Sequence, residues 1–276
     1  MDARTVLAFA TKELRDARRN RWFLLHTGAL AALSLGISAL AVSSQGAFGL
    51  AGFGRTTASL VNLVMLVVPL MGLTLGALSL AQERERGTLL YVLAQPVTPA
   101  EVFLGKYLGL ALALLASLAL GFGASGLLIA WRVSGAQVQG YLGLAGLSFG
   151  LALASLGLGL VISAVARRAS TAVGLAIFAW LALVLLGDLG LMGTAMVLRI
   201  DVGALFGLTL LNPLQVFKIS AIAGSQGTLE VLGPVGVFAF RTFGAGLLPL
   251  LLAVLLAWVV APLAAGLGLF RWRGAL

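Results

Sequence analysis

The chain has 276 residues, of which 61% are hydrophobic and only 10% charged, with a mean hydropathy of +1.09 and a formal net charge of +9. No soluble core of this size needs so much apolar surface, so the composition excludes an ordinary globular enzyme and defines an all-α polytopic membrane protein, read as a single transmembrane domain over 1–276. The absence of cysteine rules out a disulfide framework or a thiolate metal site. The positive charge follows the membrane boundaries and gives no nucleic-acid patch.

Residues 1–21 read as an interfacial helix. At about 100° per residue, Val6, Leu7, Ala10, Leu14 and Ala17 share one arc, and Arg4, Lys12, Arg15, Asp16 and Arg19 share the other. The basic face would meet anionic headgroups; the same charges also read as a cluster that only sets topology. Trp22 to Val42 is about twice as long as the apolar core of a secretory signal, so it is expected to be the first span and not a cleaved leader. Runs of about 20 apolar residues place six spans at 22–42, 58–80, 106–130, 141–166, 172–192 and 245–268. His26 lies just inside the first span and reads as a boundary residue. Asn62 in the second span is a candidate pathway residue, because polar groups at membrane depth are costly.

Between the second and third spans lies a polar island. Glu83, Arg84, Glu85 and Arg86 cannot enter hydrocarbon cheaply, so 81–105 forms a loop at the membrane surface. Gly87 breaks the run; Thr88, Leu89, Leu90 and Leu93 then give a short helix with an apolar side, which Pro96 ends. Thr98, Pro99, Ala100 and Glu101 match a capping box with proline at the first helical position, so the third span opens there. Gly105 and Lys106 follow.

The order of these elements, from Glu83 to Arg86, through Gly87-Thr88-Leu89 and the turn from Pro96 to Pro99, to Gly105-Lys106, resembles the first cytoplasmic loop of ABC-2 type export permeases. The resemblance implies that 81–105 contains a coupling helix touching a separate ATPase, with Glu83, Arg84, Glu85, Arg86, Gly87, Thr88, Leu89, Leu90 and Leu93 as its coupling residues. It also implies that Arg4, Lys12, Arg15 and Arg19 border that ATPase. Two permease copies and two ATPase subunits would form the transporter, with ATP and Mg held by the ATPase and no cofactor by this chain. Within the family, length and span layout are similar to permeases of nitrous oxide reductase maturation, which implies copper, a sulfur species or a mechanical signal as what is passed to a periplasmic partner.

In the fourth span Gly150, Ala154 and Gly157 form a small-residue packing face. Asp188, near the outer end of the fifth, is a second candidate pathway residue, or a solvated interfacial carboxylate. Met65, Met71, Met192 and Met196 are too scattered for a copper path and suit gap filling, so no metal site is assigned. Segment 193–244 is too polar for regular spans and too apolar for a free loop. Asn212 and Pro213 can cap a short helix over Leu214–Ala223 that Gly224 ends, lying on or re-entering the outer leaflet. Asn212, Pro213, Phe217 and Lys218 are its candidate gate or partner contacts; a shielding cap is the alternative.

No G-x-x-x-x-G-K-[ST] motif occurs, so ATP hydrolysis is assigned to another chain. An ATPase-independent secondary transporter, the competing reading, would favour internal repeats and a central ionisable site, and neither is evident. An intramembrane enzyme lacks paired catalytic groups. Thirteen of the 18 Lys and Arg residues border 1–21, 81–105, 167–171 and 269–276, against five on the other side. The positive-inside rule then puts both termini in the cytoplasm, and the resemblance implies a bacterial inner membrane. With no natural thiol, Ala47→Cys and Ala275→Cys are clean probes for an impermeant maleimide in intact cells. Only Ala47→Cys should be labelled; equal labelling of both from one face would refute the six-span topology.

Overall fold

The computed structural model describes residues 2–48, 51–132, 135–187, 201–224 and 233–273, and every regular element among them is helical. In chain order these are α1 (Ala3–Ala17), α2 (Arg21–Phe48), α3 (Ala51–Glu85), α4 (Thr88–Leu93), α5 (Pro99–Arg132), α6 (Gly135–Val165), α7 (Ala169–Leu185), α8 (Val202–Leu210), α9 (Pro213–Gly224), α10 (Gly233–Phe243) and α11 (Leu247–Arg273). Helices α2, α3, α5 and α6, and the run from α10 into α11, carry apolar stretches long enough to cross a bilayer. Helix α7, at 17 residues, is about 25 Å long and sits at the short end of the spanning range. Five of the six spans that hydropathy assigned coincide with these long helices; the other, 172–192, falls on α7 and runs on beyond the described residues.

Local chemistry sets the helix starts. Asp2 caps α1 by accepting from the Arg4 amide at 3.0 Å, and Asp201 caps α8 through the Gly203 amide at 2.9 Å. The capping box of α5 closes in both directions: Thr98 Oγ1 accepts from the Glu101 amide at 3.3 Å, and Glu101 Oε2 accepts from the Thr98 amide at 2.8 Å. Glu101 Oε1 also takes the Asp2 amide at 2.6 Å, which joins the start of α1 to the start of α5.

Glycine lets the long helices approach closely. A β-carbon on Gly76 of α3 would stand 2.5 Å from the Leu156 carbonyl oxygen of α6, and one on Gly159 would stand 2.5 Å from that of Leu73. The other side of α6 meets α11, with Gly150 against Leu255 and Gly157 against Pro262, while Ala154 is fully buried. The small-residue face expected on the fourth span is thus a helix contact, as packing between membrane helices favours. Helix α6 is held between α3 and α11. Buried hydroxyls add cross-links that apolar side chains cannot supply, among them Thr27 to Ser117 at 2.8 Å, Ser34 to the Gly121 carbonyl at 2.8 Å and Ser125 to the Tyr141 hydroxyl at 2.9 Å. Pro69 leaves a gap in the hydrogen-bond ladder of α3. Close to it, Trp180 Nε1 of α7 donates to the Leu66 carbonyl at 3.0 Å.

Helix α1 lies on a second small-residue face, Gly105 and Gly109 of α5. A β-carbon on Gly105 would meet Phe9 and the Val6 carbonyl, and one on Gly109 would meet the Ala10 carbonyl and Glu13. At the same end Phe103 of α5 packs against Phe270 of α11, with ring centroids 6.0 Å apart. Both ends of the described chain therefore lie at one end of the bundle, together with α4 and the α6–α7 junction. Gly109→Leu should push α1 off its seat. In a Val6→Cys background, where Val6 is 9% exposed, maleimide labelling in detergent should rise severalfold; unchanged labelling would mean that α1 is not held by this face.

Candidate functional site

The basic end gathers the polar residues that the spans exclude. Gly87 stands at φ +73°, a backbone conformation open to glycine and costly for most other residues, and this lets α3 turn sharply into α4. Thr88 Oγ1 donates to the Glu83 carbonyl at 3.2 Å and fixes the first turn of α4 to the last turn of α3. The apolar stripe expected on this helix is divided. Leu89 is 1% exposed and packs into the bundle core, and Leu93 is partly buried against it. Leu90 and Tyr91 are 61% and 78% exposed. Leu89 is therefore a structural anchor and not a partner contact, because a six-residue helix seated at a helix turn has one side facing its own fold.

The charged run is bonded inward over three consecutive residues. Glu83 Oε1 accepts from Lys12 Nζ at 2.6 Å and from Lys106 Nζ at 3.0 Å. Lys106 is 1% exposed and also donates to Glu13 Oε1 at 2.5 Å. Arg84 donates to the Ser163 and Ala166 carbonyls at 3.0 and 2.6 Å, meeting the carbonyls that the end of α6 would leave open. Glu85 accepts from the Ala169 amide at 2.8 Å at the start of α7, where the helix dipole favours a carboxylate. Arg86 alone of the four is exposed with a side chain that makes no hydrogen bond or ion pair to another described residue. For Lys12, partial burial works against the charged form, yet the hydrogen bond and charge of Glu83, with Glu13 and Asp16 nearby, hold its pKa above the ordinary value.

Of the apolar arc expected on α1, Val6, Ala10 and Ala17 are buried and Leu14 partly so, but Leu7 is 65% exposed, because the seat on α5 is narrower than the arc; Arg4, Arg15 and, just past the helix, Arg19 are exposed. Lys12 is occupied by Glu83 and is not a free headgroup contact. Glu13 was not singled out from the sequence, although it shares the arc of Val6, Ala10 and Ala17; a carboxylate on a buried arc is a legible sign of a partner. Lys106 stood out only as half of the Gly105-Lys106 pair bordering the loop, with no partner assigned.

At the opposite end α8 and α9 meet at 109°. Asn212 Oδ1 caps α9 through the Leu214 amide at 3.0 Å, and its Nδ2 donates to the Leu183 carbonyl of α7 at 2.6 Å. Trp258 Nε1 of α11 holds the Leu210 carbonyl at the end of α8 at 3.0 Å. A sharply bent helix pair stands before the last span, and α9 enters between α3, α6 and α11. Pro213 is buried and Phe217 is 0% exposed, so neither can contact a partner on the surface; Lys218 is partly buried. Asn62 is exposed on α3, away from the interior of the bundle, and Asp188, Met192 and Met196 lie outside the described residues. Met65 and Met71 fill the core, Met71 within 3.8 Å of Ser117 Oγ.

A multi-pass helical bundle with a bent helix pair at one end and, at the other, a short exposed helix on an ion-paired joint has the form of a transporter's membrane subunit. The chain belongs to the ABC-2 family: the family model described as ABC-2 family transporter protein matches residues 7–274. Over 96% of its length and 97% of the relative's, it is 32% identical to the probable ABC transporter permease protein NosY of Stutzerimonas stutzeri. It is 33% identical to the protein of the same name from Pseudomonas aeruginosa, over 97% of this chain and 98% of that one.

Phe217→Ala should open a cavity where α9 enters the bundle and lower stability by about 3–5 kcal/mol. A thermal melt in detergent that matched the parent would show that α9 does not sit in this core.

Proposed function

We propose that this chain is the permease of an ABC transporter in a bacterial inner membrane, with α4 as the contact for a separate ATPase. The observation that carries the reading is the division of α4: Leu89 seats the helix, while Leu90 and Tyr91 stand 61% and 78% exposed beyond the charged run. Exposed leucine and tyrosine on a short, rigidly seated helix form a compact anchor for a pocket on another protein. The basic end is cytoplasmic by the positive-inside rule, which brings α4 to the compartment that holds ATP. ATP and Mg are bound and used by the ATPase.

Two copies of the permease and two ATPase subunits make the complex; α9, enclosed in the bundle, acts as a gate, and the exposed side of α8 with the turn at Leu211 is the part open to a periplasmic protein. The name NosY of the two relatives fits a role in nitrous oxide reductase maturation. What passes across the membrane in that role is copper, a sulfur species or a mechanical signal.

Leu90→Asp tests the contact. A carboxylate buried there without a partner costs several kcal/mol, so copurification of the ATPase in detergent should weaken by on the order of a hundredfold. The permease should still insert and fold, because residue 90 is exposed in the isolated chain. Undiminished copurification would assign α4 to an ordinary solvated turn.

A further inference from the structure

We infer that Lys12, Glu13, Glu83 and Lys106 form a transmission joint, which makes α1 and α5 follow the end of α3 when α4 is moved; the inference rests on α4 being the ATPase contact. Glu83 occupies the last turn of α3, and Thr88 at the start of α4 is hydrogen-bonded to its carbonyl at 3.2 Å. Displacement of α4 therefore acts on Glu83 first. From Glu83 the connection divides, through Lys12 at 2.6 Å to α1 and through Lys106 at 3.0 Å to α5. Lys106 returns to α1 through Glu13 at 2.5 Å. Because α1 is also seated on Gly105 and Gly109, α1 and α5 are joined as one body.

Two features separate this cluster from a static cross-link. Buried ion pairs are weak devices for stability, since apolar side chains of similar volume commonly do as well, whereas parting such a pair strands an unpaired charge. The quartet therefore resists separation of the helices more than it improves their packing. Both lysines also converge on Glu83 Oε1, while buried Oε2 has no hydrogen-bond partner. A second acceptor stays within reach as the end of α3 turns, so the lysines can change oxygens without losing the carboxylate. Arg84 and Glu85 differ in kind: they bind backbone atoms at the ends of α6 and α7 and anchor the other side of the joint.

The test uses the permease–ATPase complex in lipid nanodiscs, with Leu211→Cys, exposed between α8 and α9 at the far end, as the only permease thiol. The readout is the change in its maleimide labelling rate on adding ATP. Glu13→Met with Lys106→Met removes the buried pair but keeps apolar packing and leaves Lys12 on Glu83. Glu83→Gln, nearer the surface, weakens the links from α3 to both other helices. Each variant should retain the ATPase on copurification and continue to hydrolyse ATP, yet lose at least about tenfold of the ATP-dependent labelling change, within the range of coupling between distant sites. A response within twofold of the parent in either folded variant would overturn the joint, and Glu83→Gln decides alone should the double variant fail to fold. Loss of ATPase binding by the variants would also overturn it, by making these docking residues. Failure of the parent complex to copurify, or to respond to ATP, would instead remove the coupling reading on which the joint stands.

Discussion

A lysine at 1% exposure cannot remain charged without partners, and much of the basic end is arranged around meeting that requirement for Lys106. Its ammonium sits at the first turns of α5, where one carboxylate arrives from α1 and another from the end of α3. Glu13 can arrive only because α1 lies directly on the backbone of α5, and it lies there because residues 105 and 109 lack side chains. Glu83 can arrive only because α3 continues beyond its apolar section for one more turn before Gly87 ends it. The charge at residue 106 and the glycines beside it are thus parts of one arrangement.

The same economy appears in the charged run as a whole. In an unstructured loop, alternating Glu and Arg would be solvated and worth little. Here the residues project in different directions from the last turn of a helix: Glu83 toward α1 and α5, Arg84 toward the end of α6 and Glu85 toward the start of α7. Each meets a charge or a helix terminus of opposite sign. Four neighbouring elements are fixed relative to α3, and α4, the next six residues, inherits a defined position from all of them.

The two ends of the bundle solve the exclusion of polar backbone from lipid in different ways. At the basic end, side-chain charges meet helix termini. At the other, α8 and α9 turn back into the protein: Asn212 in the turn donates to the Leu183 carbonyl near the end of α7, and Trp258 donates to the Leu210 carbonyl at the end of α8. Helix α9 is enclosed on nearly all sides, so its role belongs to the interior of the bundle and not to a surface patch.

Hydropathy and charge were sufficient for the class of protein, for its long apolar helices and for the concentration of basic residues at one end, because the cost of moving apolar and charged groups between water and lipid is paid residue by residue. Local geometry was equally legible: the capping box at Thr98 and Glu101 and the cap at Asn212 depend on atoms within a few positions of one another. The order of motifs in the 81–105 loop also pointed to the family that the whole chain matches. What the local pattern could not contain was direction. Leucines at 89 and 90 have the same transfer energy, and only the seat of α4 decides that one is core and the other is presented outward. Phe217 reads as readily for a lipid-facing helix as for a buried one, since an apolar side chain has no means of distinguishing a fatty acid from a neighbouring helix. The partners of Glu83 and Lys106 lie 71 and 93 positions away in the chain, so the ion-paired joint exists only once α1, α3 and α5 have packed together.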